Sequence, residues 1–122
     1  MIDMVIVKAM KALLGTQSKE NILVYLLART SGAATDIAVF FDAPLNPVQK
    51  QLKALEAGGL LSSQKVGVRR EYRFADDNPL IEPTQALAKV ALQSYPDALK
   101  TRLFVYRSRP RTPGKALNYV NS

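Results

Sequence analysis

Apolar residues recur at helical spacing along most of this chain and switch to alternation over one short stretch. Over 3–14 helix formers run up to Gly15, a natural C-terminal stop, while β-branched Val5, Ile6 and Val7 would also suit a strand. Over 18–30, Ile22, Leu23, Leu26 and Leu27 make one apolar stripe, with Ser18 placed to cap the helix and Gly32 just beyond its end. A short helix follows over 36–41, capped by Thr35, with Ile37, Phe40 and Phe41 facing inward. Asp42-Ala43-Pro44-Leu45 breaks it, because Pro44 cannot continue the ladder and pushes Ala43 out of the helical region. Asn46 then offers a capping oxygen and Pro47 takes the first helical position, where a missing N–H costs nothing. This helix runs over 46–57 and stops at Gly58-Gly59. Two helices separated by a break of about four residues form a helix-turn-helix arrangement.

Residues 60–74 read as two strands folded at or near Val66-Gly67. On the second strand Val68, Arg70, Tyr72 and Phe74 share one side, and Arg69, Glu71 and Arg73 the other. Neither side is cleanly apolar, so the hairpin is expected to be open on one face: a wing, over 62–74. Asp76-Asp77-Asn78-Pro79 closes it, and Pro83 begins a helix over 84–95 that ends at Pro96. Leu87, Val90, Ala91 and Leu92 give that helix a wide apolar band, for its own domain or for a second subunit. Residues 99–106 suit helix or strand, and 108–114 read as an extended arm. The expected fold class is α+β, mostly α: a winged helix-turn-helix with a two-stranded wing, flanking N- and C-terminal helices and a basic C-terminal arm. The expected division is a domain over 1–97 and a basic extension over 98–122.

Composition narrows the chemistry. With 122 residues, 48% of them hydrophobic, the chain can build one core. It has no cysteine and no histidine, which removes disulfides, thiolate or imidazole metal sites, cysteine nucleophiles and histidine bases. No metal or cofactor is expected. No apolar run approaches the roughly 20 residues that span a bilayer, and Asp3 stands where a secretory signal would be positive. A soluble, cytoplasmic protein without membrane contact is the expectation.

The net charge of +7 is unevenly spread. Residues 1–97 hold 11 basic and 10 acidic side chains, whereas 98–122 hold six basic side chains and no acid. Arg107, Arg109, Arg111 and Lys115 would make that arm phosphate-seeking; a solvated solubility tail is the other reading. On a helical wheel of 46–57, Val48, Leu52 and Leu55 share one narrow face, and Asn46, Gln49, Lys50 and Lys53 lie opposite. Such side chains hydrogen-bond base edges and phosphates in a major groove, though an ordinary solvated face has the same composition. Lys65, Arg69, Arg70 and Arg73 cluster around the Gly67 turn, opposed only by Glu71. Arginines there can reach phosphates or a minor groove, or simply guard a strand edge against aggregation. Two basic devices in this order, followed by a basic arm, argue for nucleic acid.

Over 11–92 the chain resembles the ArsR-like winged-helix transcription regulators. Asp36-Ile37-Ala38 resembles the opening of the motif's second helix. Val48-Gln49-Lys50-Gln51-Leu52-Lys53-Ala54-Leu55-Glu56-Ala57-Gly58-Gly59-Leu60-Leu61 is similar to the recognition helix and its exit. Val66-Gly67-Val68-Arg69-Arg70-Glu71-Tyr72-Arg73-Phe74 is similar to the wing, and Asn78-Pro79-Leu80 to the segment that follows. The resemblance implies double-stranded DNA binding as a homodimer, with Asn46, Gln49, Lys50 and Lys53 toward bases and nearby phosphates. It makes Lys65, Arg69 and Arg70 wing contacts, and Tyr72 fits as a packing residue. Two departures stand out: Asp42 replaces the usual turn glycine, and the cysteine or histidine ligands of metal-sensing members are absent.

Three other classes compete. A winged-helix protein-interaction module, subunit-docking or antitoxin-like, would use the last helix and Leu103-Phe104-Val105-Tyr106. RNA or single-stranded DNA binding calls for clustered aromatics, and Tyr72, Tyr106 and Tyr119 are dispersed. Catalysis lacks a starting point, since Asp76-Asp77 is explained by a turn and no phosphate loop, nucleophile elbow or metal spacing occurs. No residue pattern identifies a small-molecule effector.

Overall fold

Residues 21–26 and Ala28 are all buried, so the second helix is surrounded rather than amphipathic. The computed structural model describes residues 2–108, with side chains described over 5–104. Within that span the chain is α+β and mostly helical. It runs α1 (Ile2–Leu14), α2 (Gln17–Arg29), α3 (Ala34–Phe41), α4 (Leu45–Ala57), β1 (Leu61–Val66), β2 (Arg69–Phe74), α5 (Ile81–Gln93) and α6 (Asp97–Ser108). Every other helix and β2 pack on α2. Ile22, Leu26, Ile37, Leu52 and Leu103 are fully buried where these elements meet. The stripe expected for α2 is therefore too narrow: Val24, Tyr25 and Ala28 are buried as well, and Leu27 only partly.

The helix starts lie slightly upstream of the expected ones, each for a local reason. Thr16, not Ser18, caps α2: its Oγ1 accepts from the Lys19 N–H at 3.1 Å. In α3 the cap works backwards. Thr35 lies inside the helix, and the Asp36 carboxylate reaches back to accept from the Ala33 N–H at 3.1 Å. Pro44 precedes α4 in an extended conformation, so Asn46 and Pro47 become its second and third residues instead of cap and first residue. Pro47 is still tolerated, because first-turn N–H groups have no intrahelical partner. Pro83 likewise sits third in α5, which begins at Ile81. Asp42, at the end of α3, adopts the left-handed conformation (φ 52, ψ 50) otherwise typical of glycine.

β1 and β2 pair antiparallel from Leu61↔Phe74 to Val66↔Arg69. The two turn residues are Gly67-Val68, one position later than expected, and Gly67 supplies the positive φ (65°) such a turn requires. Gly32 adds a short third pairing: its N–H donates to the Tyr72 carbonyl at 3.1 Å and its carbonyl accepts from Tyr72 at 2.8 Å. A side chain at Gly32 would stand 2.6 Å from the Tyr25 ring. The helix-ending role expected for Gly32 is thus secondary to this close approach.

The ambiguous 99–106 segment belongs to helix α6. Leu103 is fully buried, and Arg29 donates from Nε to the Leu103 carbonyl at 3.1 Å and from Nη2 to the Arg102 carbonyl at 3.2 Å. The Arg29 and Arg102 guanidinium groups both stack on Phe40 of α3, at 5.0 and 4.7 Å from the ring centroid. Residues 98–104, grouped by charge with a C-terminal extension, therefore pack on the same core. Of the arm expected over 108–114, Ser108 closes α6 and the remainder lies outside the described residues. No described helix is long and apolar enough to cross a membrane.

Candidate nucleic-acid interface

Helical periodicity divides α4 into two sides. Val48, Leu52 and Leu55 are buried against α2 and α3, while Asn46, Gln49, Lys50 and Lys53 are all exposed. The four polar side chains expected to share a face do so.

The hairpin register sorts its cations. Tyr72 and Leu61 are buried, which turns their face of the hairpin inward toward α4. Ser63 shares that face, opposite Tyr72, and its hydroxyl donates to the Glu56 carboxylate of α4 at 2.6 Å. The same hydroxyl accepts from Arg70 Nη1 at 3.0 Å. Lys65 and Arg70 are direct cross-strand partners one step nearer the tip, so they lie side by side on this face. Burial pushes the Tyr72 hydroxyl pKa up, reinforced by the Glu56 charge and opposed by Arg70.

A cleft of about 320 Å³ separates α4 from the hairpin. Gln49 and Lys53 border it from the helix and Val68, Arg69 and Arg70 from the hairpin, and Thr35 at the start of α3 also lines it. The acids nearby are engaged: Glu56 takes the Ser63 hydrogen bond, and Asp36 holds Arg69.

Arg69 and Arg73 depart from the expected cluster. Arg69 grips Asp36 with both terminal nitrogens, Nη1 reaching Oδ1 at 3.3 Å and Nη2 bonding Oδ2, and Nη2 also lies 3.4 Å from Glu71 Oε2. The Asp36 hydrogen bond and charge hold the guanidinium pKa above its ordinary value. Arg73 is on the opposite hairpin face from Lys65 and Arg70, bordering a second cleft of about 420 Å³ with Leu26, Leu27, Phe74 and Ile81. The expected wing set thus divides into a pair beside α4 (Lys65 and Arg70), an ion-paired residue (Arg69) and a separate cation (Arg73). Of the expected arm contacts, Arg107 lies in the last turn of α6, and the side chains of Arg107, Arg109, Arg111 and Lys115 fall outside the described residues.

Four further residues, Asp36, Glu56, Ser63 and Asn78, hold these elements in place. Asp36 carried a signal, an acid three residues after the cap position. Glu56 and Ser63 carried none, since their bond joins two elements. Asn78, a turn residue by sequence and part of the segment resembling that after the wing, also donates from Nδ2 to the Gly59 carbonyl at 3.2 Å, tying the exit of α4 to the chain beyond the hairpin. No group of three acidic, histidine or cysteine residues able to hold a metal occurs among the described residues. Comparison with protein-family models, with curated proteins and with solved structures gives no match to this chain.

Proposed function

We propose that this chain is a cytoplasmic, ArsR-like winged helix-turn-helix transcription regulator that binds double-stranded DNA as a homodimer and performs no chemistry of its own. In this reading α3 and α4 are the helix-turn-helix, and α4 is the recognition helix. The carrying observation is the shared cleft: Gln49 and Lys53 of the exposed α4 face and Arg70 of the hairpin border one concavity, Lys65 stands beside Arg70 as its cross-strand partner, and the neighbouring acids Glu56 and Asp36 are already engaged.

A major groove is about 12 Å wide and admits one helix. With α4 in the groove, Asn46 and Gln49 can hydrogen-bond base edges, and Lys50 and Lys53 can reach bases or the phosphates at the groove margin. The wing then lies along the backbone or adjacent minor groove, with Lys65 and Arg70 neutralising phosphates. The arm's Arg107, Arg109, Arg111 and Lys115 would add phosphate contacts. Exposed Val5, Val7 and Leu13 on α1 and Val90 on α5 offer apolar surface for the second subunit. The same surface favours the alternative of a protein-interaction module, subunit-docking or antitoxin-like.

Fluorescence anisotropy with a mixed-sequence duplex across a salt series separates the two. The full chain is compared with a chain ending at Ser108; a cut after Asp97 would remove Leu103 from the core. Affinity that falls steeply with salt, and less steeply without the arm, is the expected result. No binding by either at low salt overturns the DNA reading in favour of protein docking.

A further inference from the structure

Neighbouring arginines on the wing face opposite ways. Arg70 stands beside Lys65 on the α4 side, while Arg69 closes on Asp36 of α3 with both terminal nitrogens. Asp36 is itself fixed, because the oxygen that bonds Arg69 also accepts from the Ala33 N–H at the start of α3. Glu71 of β2 supports Arg69 from its own strand, and its Oε1 also accepts from Ser31 at 3.5 Å. Arg69 also lines the cleft between helix and hairpin. A fork held bidentately by an anchored carboxylate sets orientation as well as proximity.

We propose that Arg69 is a positioning residue rather than a phosphate contact: the Arg69–Asp36 clamp fixes the wing at the spacing from the recognition helix that duplex DNA requires. This rests on the DNA-binding reading given above. The clamp joins the tip of the hairpin to α3, whereas the Ser63–Glu56 bond joins its middle to α4. Two attachments to two helices suppress rotation of the wing about either one. The preorganised wing places Lys65 and Arg70 before DNA arrives, so that ordering is not charged against binding.

Asp36→Asn, Arg69→Gln and the double variant test this, with Arg70→Gln as the comparison. Asp36→Asn keeps an acceptor oxygen for the Ala33 N–H, so α3 stays capped. Each single clamp variant is expected to weaken mixed-sequence duplex binding about three- to fivefold, as loss of an exposed ion pair would. The double variant should be no worse than either, and the salt slope should stay unchanged. Arg70→Gln should instead lower the slope by about one, as loss of a phosphate contact does. Tighter binding by Asp36→Asn, or a slope lowered by about one in Arg69→Gln, overturns the assignment, since Arg69 would then be reaching phosphate. A second readout needs no DNA: hydrogen exchange of the hairpin amides in the free chain. Faster exchange near Gly67 in both single variants supports the clamp, and unchanged exchange overturns it. Coupled exchange in a chain that binds no duplex would overturn the DNA reading while leaving the clamp in place.

Discussion

Tyr95 illustrates how one side chain can tie stability to alkaline pH. Its hydroxyl donates to the Glu20 carboxylate at 2.7 Å, in a partly buried site between the end of α5 and the start of α2. Burial, with the Glu20 bond and charge adding to it, pushes the hydroxyl pKa above its ordinary range. A pKa raised in the folded state contributes stability that is complete below the unfolded value, about 10, and declines as pH rises beyond it. Urea unfolding between pH 8 and 11, on the order of the tyrosine range, should show the chain losing stability at the alkaline end. Tyr95→Phe should be less stable at pH 8 yet decline less steeply. An unchanged alkaline slope would contradict this role. Arg69 and Arg70 carry the other lesson at this scale. Strand alternation places them on opposite faces, and that much is legible in the sequence. That one face curls against Asp36 and the other opens beside α4 is a tertiary fact, which no local pattern encodes.

Among the elements, α4 and the hairpin were the most legible. The 46–57 periodicity has three apolar positions on one narrow face, and Gly67 marks a tight turn. The helix starts are poorly legible because several candidate caps stand close together, and the choice among Thr16, Ser18, Thr35 and Asp36 depends on backbone angles set by neighbours. Helix α6 was the least legible. It presents Leu103 as its one buried side chain among those described, and Val105 and Tyr106 bias its end toward strand. What holds it is Arg29, from an element more than 70 residues away. Leu103→Ala should cost about 2–5 kcal/mol by leaving a cavity on α2, measurable by denaturant titration. A change under about 0.5 kcal/mol, the range of an ordinary surface substitution, would mean that α6 is peripheral.

For the whole molecule, the distribution of charge across two surfaces decides what binding would look like. Gln49 and Lys53 of the exposed helix face and Arg70 of the hairpin flank one cleft, with Lys65 paired beside Arg70, but only the helix face is placed to meet base edges in the proposed complex. Lys50→Ala with Lys53→Ala is expected to erase preference between a selected site and random duplex. Lys65→Ala with Arg70→Ala should weaken both alike, with the salt slope lowered by about two. Equal effects of the two pairs on selected and random DNA would contradict that division. The wing cations are neighbours in sequence but not in role, since Arg69 is ion-paired within the chain and Arg73 faces a different cleft.

The docking of α6 on α2 also bears on the rates of folding and unfolding. The Arg29–Leu103 hydrogen bond spans 74 residues, and the entropy of closing so long a loop must be spent before its contacts reward it. Contacts of this sort are expected to form late, which a low φ-value for Leu103→Ala in folding kinetics would show. Interactions that are absent from the transition state leave the folding rate alone and slow the reverse reaction. Helix α6 should in that sense act as a latch: Leu103→Ala is expected to speed unfolding and leave the folding rate nearly unchanged.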